Sequence, residues 1–203
     1  PASLNGVVGF KPTARRIPLA GAFPLAYSLD SIGPLARTVR DCAATDAVMA
    51  GEEPWEMSPV TLSGLRIGVP RGRLFAETET IVADGFEAAL SRLSTAGARI
   101  VDHDIEDLLD AMAAATAAAP LVTIEAAEVH AEWLDSRAGD FDHRVRARIL
   151  KGRDVPGHVY IGMIRRRADL ISRMAARLGG IDCLALPSTA TTAPEIAPLV
   201  GDD

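Results

Sequence analysis

The side chains able to do chemistry in this chain are few and scattered. Lys11 is one of only two lysines and closes an apolar run. Desolvation there would lower the ammonium pKa and make it a base, whereas a packed stem with its ammonium in solvent or on a helix carbonyl would make it structural. Ser28 and Ser31 flank Asp30 in AYSLDSIGPLART, but a serine hydroxyl without a partnered histidine or lysine is a poor nucleophile. Asp102, Asp104, Glu106, Asp107 and Asp110 form the densest acidic cluster. It falls after a strand and at a helix start, where carboxylates complement unpaired N–H donors, and no phosphate-cradling loop accompanies it to suggest magnesium. His103, His130, His143 and His158 include no pair at metal-binding helical spacing and read as surface or capping residues. Cys42 and Cys183 lack a CxxC spacing and read as buried free thiols in a reducing, cytoplasmic compartment, with a disulfide between them as the alternative. The sequence carries no GxGxxG, Walker A, HExxH or GxSxG pattern.

The bulk properties narrow the class. At 203 residues, with 48% hydrophobic and 24% charged residues, the chain has the balance of one soluble globular domain. Aromatics make up only 4%, so its core must come from Ala, Leu, Ile and Val, which suits helices packed on a sheet. A net charge of −6 argues against nucleic acid, whose phosphates are bound by clustered Lys and Arg. Arg165, Arg166 and Arg167 do not alter this, because at about 100° per residue they spread around a helix rather than form a stripe. No window approaches the ~18 apolar residues of a membrane span.

These side chains must be positioned by alternating strands and helices. Residues 4–12 read as a strand entering the core, followed by a loop over 13–37 that is punctuated by Pro18, Gly21, Pro24, Gly33 and Pro34. Thr38 caps a helix that Gly51 stops, with Asp41 placed for a capping box. Leu65, Ile67 and Val69 alternate as a strand; Val82, Phe86, Leu90 and Leu93 recur at helical spacing; Ile100 and Val101 open another strand. That is a βαβ unit with a parallel pair. Helices are expected over 107–137, broken at Pro120, over 141–151, and over 157–178 with Tyr160, Ile164, Ile171, Met174 and Leu178 inward. Ile181 to Leu186 read as a fully buried strand, and STATTAPEIAPLVGDD as a closing loop. The class is α/β, with helices on a largely parallel or mixed sheet. A strand at the first residues and a loop at the last are what a segment from the middle of a larger sheet would show.

The order of the motifs is more informative than any one of them. PASLNGVVGFKPT, then PLAYSLDSIGPLARTVRDCA, LSGLRIGVP and DCLALPSTATTAPEI resemble the amidase signature family over essentially the whole chain. The resemblance implies part of an α/β/α sandwich on a mixed sheet, a single incomplete domain over 1–203, and cleavage of an amide C–N bond with no cofactor and no metal. Family members use a serine nucleophile, a second serine in a cis peptide linkage and a lysine base, with backbone N–H donors for the oxyanion. All three groups precede the match to Pro1, so none of the family's catalytic residues is expected in this chain, and Lys11 matches the structural lysine of KPT. The region from about Glu125 to Tyr160 corresponds to the variable wall of the acyl pocket. Trp133, His158 and Tyr160 are therefore the expected substrate-binding residues, with simple packing as the alternative. The expected partner is a small-molecule amide, with neither nucleic acid nor membrane, and a homodimer is compatible with the sequence. Two other readings remain open: a non-catalytic remnant of the fold, and the A subunit of a tRNA-dependent amidotransferase.

Overall fold

A computed structural model describes residues 1–197, so the last six residues of the closing loop lie outside the described residues. The backbone contacts divide into two units. One comprises Pro1–Lys11, Gly33–Glu106 and the segment from Arg177 onward; the other comprises Pro12–Ile32 and Asp107–Ala176.

The first unit is α/β. A short antiparallel pair, β1 (Val8–Gly9) with β2 (Leu35–Ala36), is followed by α1 (Val39–Met49). As expected from the sequence, the Thr38 hydroxyl accepts the Asp41 N–H at 3.1 Å, and the chain leaves the helix through Gly51 at φ 77°. The βαβ unit is present as β3 (Arg66–Val69), α2 (Thr80–Thr95) and β4 (Arg99–Asp102). β3 is the middle strand, parallel to β4 on one side and to β5 (Cys183–Leu184) on the other. Ile67, Val69, Leu90, Ala98 and Ile181 are buried here. Gly68 is required in this register, because a Cβ there would lie 2.6 Å from the Ile181 Cδ1 and 3.0 Å from the His103 Cβ.

The second unit is helical: α3 (Glu106–Ala115), whose first residue belongs to the first unit, then α4 (Leu121–Val129), α5 (His143–Arg153) and α6 (Gly157–Arg177), whose last residue belongs to the first unit. Asp142 starts α5 by accepting the N–H groups of Arg144 and Val145. Its carboxyl is held at about 2, first by the Arg144 side chain and then by the Val145 N–H. α4 and α5 enclose a small core of Ala126, Ala127, Leu134 and Ile149, with Phe141 and Leu150 packed on it. Gly152 permits their approach, since a Cβ at this position would overlap the Thr123 carbonyl. Among the described residues no helix is long and apolar enough to cross a membrane.

Several expectations are corrected. The strand over 4–12 shrinks to two residues: a 3-10 turn at Ser3–Asn5 and a left-handed Gly6 consume its first half, and Phe10 and Lys11 are exposed. The strand at 181–186 is not fully buried. β5 pairs on one side only among the described residues, which leaves Cys183 exposed while Cys42 is buried. The helix expected to reach 137 ends at Val129 and gives way to turns. On α6 the inward residues are Met163, 1% exposed, with Tyr160, Ile164, Arg167, Leu170 and Met174 partly covered; Ile171 is 53% exposed. The inward stripe therefore runs through 163, 167, 170 and 174 at helical spacing, and Ile171 falls outside it. The acidic cluster is shared out among arginines and caps. Asp102 pairs with Arg71, Glu106 with Arg73 and Asp107 with Arg173, and Asp104 accepts the Glu106 N–H.

Candidate functional site

The most constrained polar group in the second unit is Glu125, only 4% exposed in the middle of α4. Its carboxylate accepts the Ser28 N–H at 2.8 Å, the Ser28 hydroxyl and, at 2.9 Å, the Tyr160 hydroxyl. An ionised carboxylate taken out of water is costly unless its lone pairs are met, and three donors from a loop and a neighbouring helix meet them. The loop is itself braced. Asp30 accepts the N–H groups of Leu25 at 2.9 Å and Ala26 at 3.0 Å, reaching back along the chain rather than forward as an Asx turn would.

This arrangement fixes what Tyr160 can do. Its proton is directed at Glu125, so only its oxygen lone pairs remain for another group, and it faces a ligand as an acceptor. Burial first, and then the hydrogen bond it donates to Glu125 and the charge of that carboxylate, push the Tyr160 pKa up, which keeps it a neutral phenol. Ser28 has a carboxylate partner and no adjacent base of the histidine or lysine type, so its hydroxyl acts as a tether.

Trp133 lies in the turns after α4, 37% exposed. It stacks on Phe23 with centroids 6.2 Å apart and lies 6.0 Å from His130, which stacks on Phe23 at 5.7 Å and meets Phe141 edge-on at 5.5 Å. Trp133, His130, Phe141, Arg137 and Asp140 line a cavity of about 160 Å³. Such offset aromatic contacts make a rigid apolar wall. His158 is exposed on the first turn of α6, and its separation of two residues from Tyr160 turns it to another side of the helix. The structure thus joins Tyr160 to Glu125 and Ser28, places Trp133 in the aromatic cluster, and leaves His158 apart from both. Sequence reasoning missed Glu125. The one available signal was an acidic residue among apolar and small neighbours in LVTIEAAEV.

In the first unit, Ser3, Leu4, Val82, Ser188, Thr189 and Thr192 are among the residues lining a hydroxyl-rich cavity of about 330 Å³. Glu79 holds one of the lining residues, accepting the Thr192 N–H and hydroxyl, each at 3.0 Å, while its own N–H donates to the Ala190 carbonyl at 2.8 Å. Among the described residues there is no group of three or more His, Cys, Asp and Glu side chains that could hold a metal ion.

Comparison with known proteins gives a consistent result. The family model described as Amidase matches residues 1–201. The chain is 32% identical over 206 residues to the 2-amino-5-chloromuconic acid deaminase of Comamonas testosteroni, covering 97% of this chain and 43% of that protein. It is 38% identical over 133 residues to the glutamyl-tRNA(Gln) amidotransferase A subunit of Pseudomonas aeruginosa, covering 59% of this chain and 28% of that one. Among solved structures, the crystal structure of an amidase superposes with a TM-score of 0.83 at 31% identity, covering 96% of this chain and 43% of that one. The chain therefore spans less than half the length of these relatives.

Proposed function

The chain belongs to the amidase family, and on that premise we propose that it is part of a hydrolase that cleaves the C–N bond of a small-molecule amide through a serine acyl-enzyme. The observation that carries this reading is the family match over 1–201, supported by the superposition on a solved amidase. In the proposed reaction, a serine oxygen adds to the carbonyl carbon as a lysine takes the serine proton through a bridging serine. The C–N bond breaks as the amine leaves with that proton, and water then releases the acid and restores the serine. Backbone N–H groups stabilise the oxyanion. None of residues 1–203 matches the serine pair or the lysine base of that scheme, so the groups that do the chemistry lie outside them.

The share assigned to this chain is the wall of the acyl pocket. Trp133 supplies an aromatic face, Tyr160 a hydrogen-bond acceptor held by Glu125, and His158 a rim contact. The working protein acts in the cytoplasm, as a monomer or homodimer, without nucleic acid or membrane. The specific alternative is the amidotransferase A subunit, favoured by the 38% identity over 133 residues.

The test compares the protein carrying the full family segment with the 203-residue chain alone. The former is expected to take up one equivalent of a fluorophosphonate probe and to hydrolyse members of a simple amide panel; the latter should do neither. Stoichiometric labelling of the 203-residue chain, or turnover by the full protein only with a glutaminyl acceptor RNA present, would overturn the proposal.

A further inference from the structure

A second cavity in the helical unit has no part in the reading above. It measures about 280 Å³ and is walled by Leu29, Met112, Ala115, Leu121, Met163 and Leu170. Ala115, Leu121 and Met163 are buried, so this is a formed recess rather than a flat patch. Two side chains with hydrogen-bonding hydrogens reach it, Thr116 and Arg167. Thr116 commits its hydroxyl hydrogen to the Met112 carbonyl at 3.0 Å.

Arg167 is different. It is half-buried on the inward stripe of α6 and makes no hydrogen bond or ion pair among the described residues. On the same helix Arg173 pairs with Asp107 at 3.3 Å and Arg177 donates to the Asp104 carbonyl, while Arg165 and Arg166 are exposed to solvent. A guanidinium is always charged and carries five N–H donors in a planar fork that matches a carboxylate. Held beside an apolar recess with no protein anion opposite, its donors are uncommitted and can take an anion in place of water. The volume lies near the lower end for small-ligand pockets, about 300 Å³.

From this juxtaposition we infer that the recess between α3, α4 and α6 binds a small monocarboxylate with an apolar tail, the carboxylate on Arg167 and the tail against Met112 and Met163. The site stands whether or not the protein cleaves amides. Neutral molecules of the same shape gain only the apolar contacts.

The test uses hexanoate, with hexanamide as its uncharged counterpart, on the full-length protein labelled with 13C at the methionine methyls. Hexanoate is expected to shift the Met112 and Met163 signals in a saturable titration, and to bind at least about tenfold more tightly than hexanamide, the worth of one charge-assisted contact. Arg167→Met should abolish that preference while leaving hexanamide within about twofold, and Arg167→Lys should restore part of it. Equal affinity for the two compounds overturns the proposal, as does silence of both methyl signals at saturating hexanoate. The contrast between hexanoate and hexanamide needs no variant, so it stands even if Arg167→Met fails to fold.

Discussion

The two units spend their polar groups differently. In the strand-bearing unit, ion pairs lie at the surface, Arg66 with Asp182 at 2.8 Å, and Arg71 with Glu87 at 2.6 Å and Asp102 at 3.1 Å, while the Asp46 carboxylate is buried on α1. In the helical unit one carboxylate, Glu125, is buried and ties a loop to two helices. Exposed pairs exchange water for a partner at little net gain, whereas a buried acceptor with three donors cannot lose its place without stranding all three. The surface pairs of the first unit therefore add little to its packing, whereas the second unit adds to its packing a buried junction that holds three donors at once.

The sharpest way to break this contrast is at the helix crossing. Gly152→Ala sets a methyl against the Thr123 carbonyl, a rigid backbone atom that cannot step aside. The expected loss is about 3 kcal/mol, and Tm falls by roughly 6–12 °C. Next comes Glu125→Ala, which leaves the Ser28 N–H and both hydroxyls unpaired. Urea denaturation should show a loss of about 2–3 kcal/mol, and hydrogen exchange should report lost protection at the Ser28 amide. If that amide stays protected, Glu125 is not the junction described.

The matching change in the other unit is Gly68→Ala. Its methyl meets the far end of the Ile181 side chain, which can rotate, and the His103 Cβ at 3.0 Å, which need give only slightly, so the cost should be smaller than at Gly152, about 1–2 kcal/mol. A larger effect at Gly68 than at Gly152 would reverse the comparison. Least of all should follow from Arg66→Ala, with Tm expected to move by no more than about 2 °C. The same pair gives a pH signature of defined sign. Hydrogen bonds from the Arg66 side chain, and then its backbone N–H, hold the Asp182 carboxyl at about 2 against an ordinary 3.8. The folded pKa is the lower one, so the contribution of Asp182 is complete above about pH 4 and is lost as the pH falls through about 2. Acid melts of the parent and the Arg66→Ala variant should converge across that window, and unchanged separation would show that the pair does not contribute.

Legibility in the sequence follows the range of the interactions. The Thr38 cap, the βαβ unit, the limits of α6 and the presence of α5, displaced by two residues from 141–151, are readable because capping and hydrophobic periodicity act within a few residues. The two-residue β1 and the turns after Val129 are not readable. Their apolar spacing fits a strand and a helix, and only their neighbours decide otherwise. Cys183 reads as buried because its neighbours are apolar, yet strand position in the sheet sets its exposure. For the candidate site, Tyr160 and Trp133 are reached through a resemblance, while Glu125 is invisible. Nothing local announces that Ser28, 97 positions away, will donate to it.

The strand order β4–β3–β5 carries a kinetic consequence. β3 reaches β4 through a single helix, α2, but it meets β5 only after the chain has passed through the whole helical excursion; Arg66 and Asp182 are 116 positions apart. Closing so long a loop costs entropy that adjacent segments never face, so β5 should dock late in folding. Pulse-labelled exchange during refolding should find the amides of β4 shielded before those of Cys183 and Leu184. Simultaneous shielding would mean that the excursion collapses first and delivers the last strand ready-made.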